Sequence, residues 1–160
     1  MASLQLKDKE GQMDKDRSVA LELRTVRNLL KRQVDGFISQ KFGDQLTGMH
    51  GWALKFFIDN KDKDIFQRDF EHQFSIRRST ASKILQLMEK NNLITRQSVP
   101  YDARLKRIVF TPTAVEYYEA IIGKYVELER ELKSGLSREE LDTFFGVLDK
   151  IKSNLEQRSS

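Results

Sequence analysis

The chain has no cysteine, two histidines and two prolines in 160 residues, and each shortage removes a class of chemistry. Without cysteine there is no disulfide, no thiolate metal site and no thiol-based peroxide sensing. His50 and His72 are the only imidazoles. They lack the helical two-histidine spacing of a metalloprotease, and no serine or carboxylate near either suggests a triad. The turn from Asp59 to Asp64 superficially resembles a calcium loop but lacks its central glycine and closing glutamate. No phosphate-cradling glycine motif is present. With no nucleophile, base and anion-stabilising group to name together, the chain is expected to be no enzyme, with no catalytic residue, metal or cofactor. No apolar run approaches the roughly 18 residues that span a bilayer, and the first 16 residues lack the apolar centre of a signal peptide. A cytoplasmic protein with no membrane partner is expected.

What the chain does have is a helix with two unlike faces. Ala81, Ile84, Leu85 and Met88 recur at helical spacing with Leu87 alongside, giving an apolar stripe from about Arg78 to Asn91. Arg77, Arg78, Ser79, Ser82, Lys83 and Gln86 lie off that stripe, while Thr80 can face either way. Short hydroxyls let a backbone approach a groove, arginine binds guanine edges bidentately, and either cation pairs with phosphate. Asn92 suits a left-handed helix stop.

Charge is concentrated in the same segment. From Arg77 to Arg107 eight cations stand against two acids, Glu89 and Asp102, an excess of six in a chain whose net charge is +4. Such a segment fits a polyanion-binding surface, and on charge alone it fits a solvated basic face equally well. The following residues favour the first reading. Ile94 to Val99 alternates, and Arg107 to Phe110 is β-branched and aromatic, so two short strands flank a turn from Pro100 to Arg104. The tip of this ribbon presents Arg104 and Lys106 away from the body, toward a narrow minor groove or phosphate.

The residues Arg78-Ser79-Thr80-Ala81-Ser82-Lys83, followed by Leu87-Met88-Glu89-Lys90-Asn91-Asn92-Leu93-Ile94-Thr95-Arg96, resemble the recognition helix and helix exit of the MarR family, dimeric winged helix-turn-helix regulators. Asp102-Ala103-Arg104, with Phe110-Thr111 before a new helix, is similar to that family's wing signature. The resemblance implies that Arg104 enters the minor groove, that Asp102 orients basic side chains, and that Ser79, Thr80, Ser82 and Lys83 face the major groove. Arg77, Arg78, Arg96 and Lys106 complete the expected DNA-binding set. Two positions depart from the family pattern. Asn92 stands where glycine is usual, and Arg77 where a small capping residue is common, which leaves Ser75 as the other cap candidate. In the family, small molecules often bind between the dimer helices and the winged domain. His50, Trp52 and Phe56 would line such a cleft here, with ordinary core packing as the competing reading for each.

The rest of the chain fits the same plan. Residues 1–16 are expected to form a mobile arm. A helix from about Arg17 to Phe42 carries Val19, Leu23, Val26, Leu30, Val34, Phe37 and Ile38. Thr47 caps a second helix bearing Met49, Trp52, Ala53, Phe56 and Phe57. Ile65 is expected as a one-residue strand against the wing, and Phe66 to Phe74 as the first helix of the helix-turn-helix. Thr111-Pro112 opens a long helix with Val115, Tyr118, Ile121, Ile122, Tyr125, Leu128 and Leu132. Ser134-Gly135 breaks it, and the capping box Ser137-Arg138-Glu139-Glu140 starts a last helix with Leu141, Phe144, Phe145, Leu148, Ile151 and Leu155.

The expected fold is therefore mainly α with a small β-wing: an N-terminal dimerisation helix over residues 17–45, a winged helix-turn-helix over 46–112, and C-terminal dimerisation helices over 113–157. The terminal helices hold more apolar surface than a small winged core covers, so a two-fold homodimer is expected. The expected partners are double-stranded DNA, a second copy and a small-molecule effector. The competing reading is a helical protein- or RNA-interaction module with a basic surface.

Overall fold

The computed structural model describes residues 17–43 and 46–157, so the expected N-terminal arm lies outside the described residues. Helix α1 runs Val19–Phe42. Ser18 caps it, its Oγ accepting the Leu21 N–H at 3.4 Å, and Gly43 at φ 73° ends it. Of the expected stripe only Val34 and Ile38 are buried, while Val19, Leu23 and Val26 remain exposed. Helix α2, Gly48–Asp59, meets α1 where Val34 turns inward. A Cβ on Gly48 would stand 2.5 Å from Val34 Cγ1, so glycine here is what permits the approach. The Gly48 N–H donates to Asp35 Oδ1 at 2.7 Å and locks the contact.

Helix α3, Gln67–Phe74, and helix α4, Arg78–Lys90, form the helix-turn-helix. The aromatic spacing of α3 explains its seat: Phe70 is fully buried, with its ring centroid 5.6 Å from Phe57 and 5.0 Å from Phe74. Each such ring removed from water contributes roughly 1.5–3 kcal/mol. Phe66 caps α3 rather than opening it, and Asp69 Oδ2 accepts the Phe66 N–H at 2.8 Å. The bridge to the wing also falls one residue later than expected. Phe66 pairs with Arg107, although the Ile65 carbonyl does accept the Ile108 N–H at 2.7 Å.

Strands β1, Ile94–Val99, and β2, Asp102–Phe110, pair antiparallel from Ile94↔Phe110 to Ser98↔Lys106. The register then jumps to Val99↔Asp102, so Ala103, Arg104 and Leu105 occupy a bulge. Because the bulge absorbs these residues, β2 begins five positions before Arg107, and Pro100 and Tyr101 alone make the turn. Arg104 and Lys106 consequently stand on a strand and not in a loop.

Helix α5, Pro112–Lys133, opens as its sequence dictates, with Thr111 Oγ1 accepting the Ala114 N–H at 3.2 Å. Its buried face passes through Ala114, Tyr117, Ile121 and Tyr125, one position away from the expected Val115 and Tyr118. Apolar residues there spread over more than one stripe. The stacking of Tyr117 on Phe42, centroids 3.7 Å apart, selects the phase. Helix α6, Arg138–Gln157, carries the expected capping box: Ser137 Oγ accepts the Glu140 N–H at 3.2 Å, and Glu140 Oε2 accepts the Ser137 N–H at 2.7 Å. The chain divides into two compact units, one ending at Ile121 and the other starting at Ile122. In the second unit none of the α6 residues is buried, and Phe144, Phe145, Val147 and Leu155 are exposed.

Candidate nucleic-acid interface

The presentation of α4 begins with the turn before it. Ser75 adopts a left-handed conformation at φ 48°, and the Ile76 N–H donates back to the Glu71 carbonyl at 3.1 Å, which closes α3 in a Schellman-type turn. This assigns Ser75 to the end of α3, and Arg77 is the residue at the start of α4. Arg77 is extended and makes no side-chain cap, so the first N–H groups of α4 keep the anion-attracting character of a helix N-terminus. Asn92, at φ 54°, repeats the device at the other end, where the Leu93 N–H donates to the Met88 carbonyl at 2.9 Å.

Burial sorts the α4 side chains as their chemistry predicts. Ala81, Leu85 and Met88 are fully buried, whereas Arg77, Arg78, Ser79, Thr80 and Lys83 are exposed and Ser82 is half-buried. The ambiguity at Thr80 resolves toward the side of Ile84. Both line a cavity of about 610 Å³ that α4 shares with Trp52 and Met49 of α2 and Leu30 and Val34 of α1. Of the three expected ligand residues only Trp52 lines this cavity. Phe56 lies edge-on to Phe74 with centroids 6.0 Å apart. His50 is buried and structural: its Nδ1 accepts the Thr47 N–H at 2.9 Å, which places the neutral ring's proton on Nε2, an atom with no partner among the described residues. Burial holds the His50 pKa below the usual histidine value.

On the wing, Arg104 is the outward cation, its side chain 91% exposed. Asp102 cradles it: Oδ1 accepts the Arg104 backbone N–H at 2.9 Å and its Nε–H at 3.2 Å, and Oδ2 accepts from Nη2 at 3.4 Å. These bonds, the side-chain contact first, hold the Asp102 carboxyl below the ordinary carboxylate range. Lys106 reaches across the ladder to Ser98 Oγ. Arg96 differs from the other predicted cations. Its Nε donates to Glu89 Oε2 at 3.1 Å and its Nη1 to Gln67 Oε1 at 3.4 Å, and Gln67 in turn donates to Glu71 and to the Arg78 carbonyl. Arg96 therefore ties β1, α3 and α4 together. The residues that complete this tie, Glu89 and Gln67, were not legible as partners because they lie 7 and 29 positions from Arg96.

An exposed polar helix edge, a two-stranded ribbon with an aspartate-cradled arginine and a bridge from the α2–α3 connection together make a winged helix-turn-helix. The family model described as the MarR family matches residues 44–105. This winged domain is of MarR type. The MarR likeness extends well beyond that segment. The transcription regulator MarR from Oenococcus oeni PSU-1 is 28% identical, with a TM-score of 0.74 over 85% of this chain and 99% of the other. S. aureus MepR, solved as a MepR–DNA complex, is 25% identical, with a TM-score of 0.78 over 88% of this chain and 99% of that one. MepR in its DNA-binding conformation gives the same identity and TM-score over 87% of this chain. Among the described residues no group of three or more histidine, aspartate or glutamate side chains is placed to hold a metal ion, and no helix is long and apolar enough to cross a membrane.

Proposed function

We propose that this MarR-type transcription regulator acts as a homodimeric, ligand-responsive repressor on a pseudo-palindromic operator. The observation that carries the reading is the placement of Arg78, Ser79, Ser82 and Lys83 on the outer side of α4 while Arg104 stands outward on the adjoining ribbon. A helix in the major groove and a ribbon at the neighbouring minor groove need that pairing. Arg77 and Lys106 supply phosphate contacts, Asp102 orients Arg104, and Thr80 sits at the border of groove and cavity. Arg96, engaged with Glu89 and Gln67, serves by positioning α4.

The homodimer reading rests on apolar surface. Val19, Leu21, Val26 and Leu29 on α1, and Phe144, Phe145, Val147 and Leu155 on α6, are about half exposed or more, and such surface is normally covered by a partner. A dimer then sets two copies of α4 about 34 Å apart on one face of the duplex. The effector reading rests on the cavity, which is bounded by α1, α2 and α4 together. A ligand there touches the recognition helix through Thr80 and Ile84 and would alter the spacing of the two helices. The test is a shift assay of the full chain with duplexes selected from genomic fragments and with scrambled duplexes. Binding that survives excess scrambled competitor supports the regulator; binding lost equally to any polyanion favours a general basic module.

A further inference from the structure

The wing is a two-stranded ribbon, and such a ribbon is at best marginally stable by itself. Its main-chain bridge to the α2–α3 connection reaches only halfway along the ladder: the Ile65 carbonyl accepts the Ile108 N–H, and Phe66 pairs with Arg107, opposite Arg96 and Gln97. Beyond Arg107, toward the bulge that carries Arg104, no further main-chain bridge to the body is present among the described residues. The outer half of the ribbon can therefore swing about that bridge.

Asp64, the residue before Ile65, spans the gap with one carboxylate. Its Oδ1 accepts from Arg107 Nη1 at 3.0 Å and its Oδ2 from the Tyr101 hydroxyl at 3.0 Å. The two donors lie 43 and 37 positions away in sequence, one midway along the ribbon and one in its turn. Arg107 is further braced within the ribbon by Nη2 donating to Gln97 Oε1 at 3.3 Å. The bridge supplies one point of attachment and Asp64 adds a second in the turn, so swinging of the outer half about the bridge is opposed. Arg104 sits between these two points on the bulge, pointing away.

We infer that Asp64 is a positioning residue for DNA binding, a strap from the α2–α3 connection that sets the angle at which the ribbon delivers Arg104. The inference rests on the DNA-binding reading above, and a mutant cycle separates the two. With the full chain on its selected duplex, Arg104→Ala weakens binding by about tenfold or more in the parent protein. In an Asp64→Ala background the same change costs about threefold or less, because the arginine no longer arrives, while Lys83→Ala on α4 costs the same factor in both backgrounds. A general loss of folding would lower both costs together. Tyr101→Phe, which keeps the ring and deletes only the tip bond, reduces the Arg104 cost in the same direction and serves if Asp64→Ala does not fold; Asp64→Glu restores it. An Arg104 cost that is undiminished by Asp64→Ala, or by Tyr101→Phe where that variant stands in, overturns the strap while leaving the regulator intact. No specific binding by the parent protein overturns both.

Discussion

Arg96 Nε stands 3.1 Å from Glu89 Oε2, so the first cation after the recognition helix is bonded to an acid in that helix's own last turn. Arg96 is 27% exposed and Glu89 35%, an environment in which an ion pair is screened yet still directional. The pair fixes the angle between α4 and β1, and Gln67 extends the brace to α3.

Arg96→Ala is therefore expected to lower stability by about 1 kcal/mol and to leave the salt dependence of DNA binding unchanged. Chemical denaturation gives the first quantity and a salt titration the second. A salt slope that becomes shallower by about one would make Arg96 a phosphate ligand instead.

Arg104→Ala has the opposite signature. It should weaken DNA binding by roughly 1–3 kcal/mol with no change in melting temperature, since its only partner among the described residues is the neighbouring Asp102. Fluorescence anisotropy against a calorimetric Tm separates the two effects. An unchanged affinity would remove the ribbon from the interface.

Gly48→Ala tests the seam between α1 and α2. Alanine gains about 1 kcal/mol of helix propensity, but its Cβ would lie 2.5 Å from Val34 Cγ1, and valine in a helix has little rotamer freedom to yield. Overpacking of this kind costs roughly 1–3 kcal/mol, so a net loss is expected, relieved in part by Val34→Ala in the same chain. Unfolding midpoints of the two single variants and the double one check this. Losses that simply add would show that the seam is looser than it looks.

His50 supplies a pH dependence. Unfolded, its ring titrates near 6.5, while burial in the folded protein holds the value lower. Between those values the unfolded chain binds the extra proton, so His50 costs nothing above about pH 6.5 and lowers stability progressively as pH falls below it. Melting at pH 7.5 and pH 5.5 should show a smaller acid-induced drop in His50→Asn than in the parent protein. Equal drops would place the ring in contact with water.

Much of this architecture could be read from residue order. The apolar spacing from Ala81 to Met88, the Thr111-Pro112 start, the Ser137 box and the left-handed Asn92 are local signals, and local hydrogen bonds realise each of them. What stayed hidden depends on contacts between distant segments. The phase of α5 follows from Tyr117 finding Phe42, and the engagement of Arg96 from Glu89 and Gln67. In sequence Asp64 is only part of a charged turn, because nothing near it points to Tyr101 or Arg107. The orientation of Thr80 is hidden for a similar reason: on the edge of a helical stripe, one position is claimed by whichever neighbour arrives, here the walls of the cavity.

A salt titration of the full chain with its selected palindromic duplex tests the proposed interface most directly. If each protomer of a dimer neutralises about four phosphates, the logarithm of affinity falls against the logarithm of salt with a slope near −7. A slope near zero would contradict an interface built on α4 and the ribbon.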